Sequence, residues 1–196
     1  NYSPDGAVNF KYTDVVAAMQ QGNTAIIMEG APLGGKINDP EKSTVRGKLG
    51  YMMVPKGPGG RHPAFTGHGV ALAAGAPNLE PAWLFLQWAL SKEITIDIAL
   101  NSNHVAVSRD SVWEDASFRE KWNLPGAGGD FLKAFQDSLN AADANYRPRI
   151  SGWGEVNTAY GEALQKVMLG QISAEEAMND AQAKAVEVMK RLEYID

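Results

Sequence analysis

Apolar residues recur at helical spacing most clearly in the C-terminal part of the chain. They fall three and four residues apart from Glu155 to Leu169, and again beyond Gly170. Gly170 suits the left-handed backbone conformation that often ends an α-helix. Ser173 and Glu176 have the S-x-x-E spacing of a capping box, which predicts the start of the next helix. The pattern predicts a helical hairpin whose last helix packs on one face. That apolar stripe comprises Ala177, Met178, Ala181, Ala185, Val188, Met189 and Leu192.

The same spacing predicts five helices earlier in the chain, and a Pro-Gly-rich turn, Pro125–Gly129, separates the last two. The helix that begins at Leu79 carries Trp and Leu residues at a spacing typical of a core helix rather than of a ligand site. These residues are Trp83, Leu84, Leu86, Trp88 and Leu90. The predicted helices are Tyr12–Gln21, Leu79–Ser91, Ile94–Leu100, Asp110–Trp122 and Phe131–Ala142.

Short apolar runs between these helices predict strands, so the fold class is α/β. A small-residue turn at Glu29-Gly30 follows the first run; it is either a ligand-contact turn or an ordinary strand-to-helix turn. Gly67 and Gly69 flank His68 inside the third run, which indicates a bend, a close approach of ligand, or a structural histidine. The predicted strands are Thr24–Met28, Lys48–Pro55, Ala64–Gly75 and Val105–Val107.

An Arg-Pro-Arg loop with a following Gly-Trp-Gly precedes the helical hairpin. Pro148 favours an extended conformation at Arg147. Arginine donates two hydrogen bonds from a planar fork and suits oxygen-rich ligands. The alternative is structural: the arginines cap helix ends and Trp153 is buried between helices.

Composition narrows the functional classes. The 196 residues include no cysteine, which excludes disulfides, thiolate metal sites and thiol catalysis. The net charge of −5, with scattered Lys and Arg, argues against nucleic acid as a partner. The glycine-rich loop from Lys56 to Arg61 lacks the spacing of a phosphate-binding loop. We expect no cofactor and no metal site.

The order of several segments resembles the C-terminal half of the bacterial extracellular solute-binding proteins of the ABC sugar-uptake class, family 1, which are maltose-binding-protein-like. The segments are YTDVVAAMQQGNTAIIMEGAP, KLGYMMVPKGPGG, TGHGVALAAGAPNLEPAWLFLQWALS, LNSNHVAVSRDSVWED, and the stretch from Arg147-Pro148 to Ala181. The chain starts with Asn1 rather than Met, and we interpret it as a processed product or fragment whose N-terminal part is missing.

The resemblance implies a periplasmic-binding-protein-like type II fold: a helix-rich C-terminal lobe with a returning segment of the N-terminal lobe. Residues 1–68 and 112–196 would form the C-terminal lobe, and residues 70–111 would belong to the incomplete N-terminal lobe. A chain cut in this way exposes apolar faces and strand edges. We therefore predict that it self-associates, swaps elements or needs the missing half.

The implied function is capture of a sugar, polyol or sugar phosphate between two lobes, for delivery to ABC permease subunits. The implied location is periplasmic or, for a membrane-anchored lipoprotein, extracellular. Pro32 and His68 stand where family members often carry Trp, so two sugar-stacking aromatics are absent. Glu29 would accept hydrogen bonds from the hydroxyl groups of the solute, and Arg149 would donate hydrogen bonds to it. Gly30 and Gly67 would allow the backbone to approach the solute closely. The full set of expected contacts is Glu29, Gly30, Gly67, His68, Asn103, Arg147, Arg149 and Trp153.

Two other functional classes stay open. A hydrolase could use Glu29, Asp110 or His68, because a general acid–base pair has no fixed sequence spacing. No H-E-x-x-H or G-x-S-x-G motif is present to support this alternative. The third class is an interaction module that binds a partner protein. Turnover of a solute would identify the hydrolase, and binding of a protein without any response to small molecules would identify the module.

Overall fold

The computed structural model describes residues 3–124 and 131–196, and the described residues contain helices but no β-strand. Their contacts group them into two units: Asn1–Pro4 with Lys11–Asp143, and Asp5–Phe10 with Ala144–Asp196. The predicted turn at Pro125–Gly129 lies outside the described residues. The lobe boundaries implied by the resemblance fall elsewhere in the chain; they concern a whole protein and stay a prediction.

The first unit contains seven α-helices among its described residues. α1 begins where the backbone N–H of Lys11 donates to the Asp14 carboxylate at 2.8 Å, and it ends before Gly22, whose φ of 74° is the left-handed conformation that glycine tolerates. The helices are α1 Tyr12–Gln20, α2 Gly34–Ile37, α3 Leu79–Ala89, α4 Lys92–Asn101, α5 Asp110–Trp113, α6 Ala116–Trp122 and α7 Phe131–Ala141.

Two apolar clusters hold this unit together. The larger cluster contains residues of α4, α5, α6 and α7. In it, the ring centroid of Trp113 lies 5.2 Å from that of Phe135 and 5.4 Å from that of Phe118, and both pairs meet edge to face. The smaller packs Val16 and Met19 of α1 against Ile37. The buried members of the larger cluster are Ala99, Val105, Val112, Phe118, Trp122, Leu124, Phe131 and Phe135.

The second unit is built on a helical hairpin, α8 Trp153–Met168 and α9 Ala174–Arg191, as the sequence predicts. Gly170 has φ 68°, and the Ser173 hydroxyl accepts from the Glu176 backbone N–H at 3.1 Å, which confirms the predicted helix end and start. Ala177 and Ala181 are buried against α8 because their small side chains allow the helices to approach closely.

The prediction of a single helix from Asp110 to Trp122 is wrong, because the structure has two helices there, α5 and α6. The Asp115 carboxylate accepts from the backbone N–H groups of Ser117 at 3.0 Å and Phe118 at 3.2 Å, and so starts a new helix. The spacing of Val112, Phe118 and Trp122 hid this break, because those residues share one core on both sides of it.

The four strand predictions are wrong within the described residues, where only the isolated bridges Gly57–Gly60 and Ala64–Asp143 occur. A strand exists only where another chain segment pairs with its N–H and C=O groups. The run Thr24–Met28 has no such partner here, and its Ile26 is 84% exposed rather than buried.

The predicted core stripe of α3 is also wrong. Only Leu86 is buried, while Trp83 and Trp88 are 55% and 57% exposed. Large apolar side chains cover most of the circumference of this helix, outside the face of Glu80 and Gln87, so it needs cover on two sides. The exposed apolar surface that the resemblance implies is therefore present on this helix.

Candidate functional site

The Glu29-Gly30 turn is exposed and leads directly into a 3-10 helix, Ala31–Leu33. The Gly30 N–H donates to the Glu29 carboxylate at 3.2 Å, and the Gly30 carbonyl accepts from the N–H of Leu33 at 3.0 Å. The carboxylate of Glu29 thus lies over its own turn, open to solvent. It can accept hydrogen bonds from hydroxyl groups of a ligand.

Close packing of the backbone after this turn explains why positions 34 and 35, the first two residues of α2, are glycines. A Cβ added at Gly34 would lie 2.3 Å from the Phe131 ring. A Cβ at Gly35 would lie 2.7 Å from the Trp122 ring and 3.0 Å from the carbonyl oxygen of Asn103. These distances leave no room for a side chain. The structure therefore brings the backbone of Asn103 close to the segment that follows Glu29 and Gly30.

A buried amide fixes the other end of α2. Asn38 is only 4% exposed; its side-chain N–H donates to the Gly34 carbonyl at 2.9 Å and to the Tyr51 hydroxyl. Burial raises the pKa of the Tyr51 hydroxyl, against the opposing effect of the Asn38 hydrogen bond. The ring of Tyr51 in turn meets Phe131 at 5.1 Å. The hydrogen bond between Asn38 and Tyr51 could not be predicted from the sequence, because no motif marks either residue.

The Gly67-His68-Gly69 segment is exposed throughout. A Cβ added at Gly67 or Gly69 would meet nothing within 4 Å, so no described atom requires glycine there. Among the described residues, no hydrogen bond or ion pair joins His68 to Glu29 or Asn103. Gly67 and His68 are accessible, and their role as ligand contacts stays a prediction.

The second unit holds the remaining predicted contacts, Arg147, Arg149 and Trp153. The Arg149 guanidinium donates to the Ala144 carbonyl at 3.2 Å, and Arg147 lies 5.4 Å from the ring centroid of Tyr146. Both arginines are exposed, while Trp153 is half-buried as the first residue of α8. The two guanidiniums thus keep donors available to an oxygen-rich ligand.

Tight packing seats the loop before α8. Gly152 is buried, and a Cβ there would lie 2.6 Å from Val188 and 2.5 Å from Leu192 on the α9 side. The Glu155 carboxylate accepts from Arg191 at 2.6 Å between the same two helices. This hydrogen bond, together with the Arg191 charge, lowers the pKa of the Glu155 carboxyl. The position of Trp153 therefore depends on the hairpin.

Two open clefts accompany these elements. One, of about 480 Å³, runs between α8 and α9, with alanines at its base and charged residues on its rim. The other, of about 240 Å³, lies beside Tyr51, Arg61 and Lys133 in the first unit. Neither cleft is lined by a predicted contact residue. Among the residues the structure describes, no cluster of three or more His, Asp or Glu could hold a metal ion.

The predicted contact residues are of types that can hydrogen-bond hydroxyl groups. An exposed carboxylate, an amide and two guanidiniums supply acceptors and donors, and exposed glycines supply accessible backbone. Asp110, the third residue of the hydrolase alternative, is the first residue of α5. Among the described residues, no hydrogen bond or ion pair joins Asp110 to Glu29 or His68, so the structure adds nothing in favour of that alternative.

Comparison with known proteins decides the family. The sequence profile of the bacterial extracellular solute-binding proteins matches residues 1–96. A solved ABC-transporter solute-binding protein of Agrobacterium radiobacter K84, in complex with ribitol, matches 94% of this chain with a TM-score of 0.80 and 26% identity. The chain is thus similar to the bacterial extracellular solute-binding proteins in sequence over residues 1–96 and in fold over most of its length. The predicted family and the periplasmic-binding-protein-like fold class are thereby confirmed.

Two curated binding proteins are similar over most of the chain. An erythritol/L-threitol-binding protein of Mycolicibacterium smegmatis is 23% identical over 87% of the chain, and a mannitol-binding protein of Pseudomonas aeruginosa is 22% identical over 98%. The chain spans 35% and 46% of their lengths, and 45% of the Agrobacterium protein. It therefore corresponds to less than half of each. Among the described residues of this chain, no helix is long and apolar enough to cross a membrane.

Proposed function

We propose that the protein containing this chain is the substrate-binding component of an ABC importer and that it captures an acyclic polyol. The observation that carries the proposal is the close structural match to a family member solved with ribitol. The names of the erythritol/L-threitol-binding and mannitol-binding relatives support the same ligand class. Delivery to permease subunits and a location in the periplasm, or as a lipoprotein on the outer face of the membrane, follow from that role.

The residues of the chain favour an acyclic polyol over a ring sugar. Sugar rings present an apolar face that stacks on aromatic side chains. This chain carries Pro32 and His68 at the two places where the family often carries Trp. An acyclic polyol has no ring face to stack, but it offers a row of hydroxyls. Hydrogen-bonding groups then supply most of the recognition.

In the first unit, Glu29 would accept from adjacent hydroxyls, Asn103 would donate and accept, and His68 would replace an aromatic contact. Gly30 and Gly67 would allow the ligand to approach the backbone. In the second unit, Arg147, Arg149 and Trp153 would contribute donors and an indole surface.

We further propose that residues 1–68 and 112–196 belong to one lobe of the whole protein and residues 70–111 to the other. The ligand would be released unaltered.

Isothermal titration calorimetry of the protein tests this function, with ribitol, erythritol and mannitol as ligands and glucose, maltose and glycerol phosphate as competitors. Glu29→Gln should weaken binding of the preferred polyol by about tenfold or more, since a hydrogen bond to a charged group contributes about 1.5–3 kcal/mol. The matched control is Glu41→Gln, because Glu41 is also an exposed turn residue. Its affinity should stay within about twofold.

The competing outcomes are distinct. Binding of ring sugars or phosphates in preference to polyols would overturn the ligand class but keep the family role. Absence of binding to all of these solutes would overturn the importer proposal for this protein. Chromatography of the solutes after long incubation checks for turnover, and appearance of a product would favour the hydrolase class.

A further inference from the structure

Side chains of α6 hold the end of α4. The last carbonyl groups of a helix have no partner within the helix and need donors from elsewhere. Here Lys121 donates to the carbonyl oxygens of Leu100 at 2.5 Å and of Ser102 at 2.6 Å, and the indole N–H of Trp122 donates to Ala99 at 3.2 Å. Two adjacent residues therefore satisfy three carbonyls at this helix end.

The bond from Lys121 to Ser102 reaches Asn103 through one peptide group. A peptide is planar, so the carbonyl oxygen of Ser102 shares a plane with the nitrogen and Cα of Asn103. Fixing that oxygen fixes the point from which the Asn103 side chain starts. On the other side, the absence of a side chain at Gly35 lets its backbone pack close to the Asn103 carbonyl oxygen.

We call the hydrogen bonds from Lys121 and Trp122 to the end of α4 the clamp, and the residues around them hold it in place. Trp122 is 1% exposed and belongs to the main apolar cluster. The Ser102 hydroxyl donates to the Ile98 carbonyl at 2.6 Å and accepts from the N–H of His104 at 3.1 Å, which closes the turn around Asn103. The partial negative charge of a helix C-terminus also favours a cation at the position of Lys121.

We propose that Lys121 is a positioning residue: it orients Asn103 for contact with the solute without touching the solute itself. The proposal rests on the proposed function, in which Asn103 is one of the ligand contacts. Side chains that hold contact residues in place are needed because a displacement of a fraction of an ångström already weakens a binding site.

A double-mutant cycle measured by calorimetry with ribitol, or with the polyol that binds best, tests this role. Lys121→Met keeps most of the apolar stem and removes the donors, and it should weaken binding about tenfold, the lower end of the range for supporting residues. In an Asn103→Ala background the same change should weaken binding less than about twofold, because a residue that acts through Asn103 has nothing left to orient. Lys121→Arg should restore most of the affinity. Lys92→Met, at the exposed start of the same α4, is the matched control.

Unchanged affinity of Lys121→Met, or an equal loss with and without Asn103, would overturn the proposal. If the parent protein binds none of the polyols, the proposed function fails. Amide hydrogen exchange then tests, without any ligand, whether Lys121 holds the chain around Asn103 in place. The amide of His104 should exchange at least about tenfold faster in Lys121→Met, while amides of α7 keep their rates. Equal exchange of His104 in both proteins would also overturn the positioning role, whatever the ligand.

Discussion

α9 and α3 are both helices that the sequence predicts to pack against a core, but only in α9 is the predicted apolar stripe covered. α9 has one apolar stripe, and its Ala177 and Ala181 are 0% and 2% exposed against α8. α3 has large apolar residues over most of its circumference, and Phe85 and Trp88 stay 60% and 57% exposed. A helix with one apolar stripe is covered by one neighbour, whereas a helix that is apolar all round needs two layers. The described residues provide only one of them.

The largest effect expected from this comparison lies within α3. Leu86→Ala should destabilise the chain by about 2–4 kcal/mol, because it removes a buried side chain and leaves a cavity. Leu84→Ala, two residues earlier and 58% exposed, should change stability by less than about 0.5 kcal/mol. Urea unfolding followed by circular dichroism measures both. Equal losses would mean that Leu84 is covered, for instance in a dimer, and size-exclusion chromatography would then show the association.

The matching test in α9 concerns its small residues. Ala177→Leu should destabilise the hairpin by about 1–3 kcal/mol, because the larger side chain forces α8 and α9 apart. Ala183→Leu is the control, since Ala183 lies on the exposed face of the same helix and leucine has almost the same helix propensity as alanine. The same urea measurement applies. A tolerated leucine at 177 would show that the helices do not depend on close approach.

The helices could be predicted from the sequence because their causes are local. The capping residues Asp14, Gly170 and Ser173 act within a few positions of the helix ends they fix. Strands could not be predicted in the same way, because pairing depends on distant segments. Thr24–Met28 has the composition of a buried strand, but no described segment pairs with it.

The candidate site was predictable only in part. Glu29 and the arginines stand out by residue type and by the small residues or proline beside them. Lys121 and Asn38 do not, since their importance comes from partners far along the chain: Lys121 bonds carbonyls 19 and 21 residues away, and Asn38 meets Tyr51. Supporting residues of this kind become visible only when the chain is folded.

Two glycines in the second unit should respond with opposite signs. Gly152→Ala should destabilise by about 1–3 kcal/mol, because its Cβ would lie 2.6 Å from the branched, fully buried Val188. Gly161→Ala, inside α8 with open space around its Cα, should stabilise by about 0.5–1 kcal/mol, since glycine weakens a helix interior. Thermal unfolding of the two variants checks the signs. A stabilising Gly152→Ala would show that the loop before α8 has room to move away from α9.

The smallest effect concerns the ion pair between Glu155 of α8 and Arg191 of α9. The hydrogen bond from Arg191 holds the pKa of Glu155 below its ordinary value, so Glu155 binds its proton less readily in the folded than in the unfolded chain. The resulting stabilisation is present above the unfolded pKa of the carboxyl and is lost as the pH falls through the lower, folded pKa. Because both side chains are about half-exposed, the contribution is small and weakened by salt.

Arg191→Gln should therefore return the Glu155 pKa towards its ordinary value, which an NMR titration of the side-chain carboxyl can follow. The difference in thermal midpoint between the variant and the parent should be largest near neutral pH and low salt, and it should vanish once Glu155 is protonated. Lys190→Gln, an exposed neighbour on the same helix, should leave the Glu155 titration almost unchanged. An unshifted Glu155 pKa in Arg191→Gln would mean that the two side chains do not pair in solution, and that the hairpin depends on its alanine contacts without help from this charge pair.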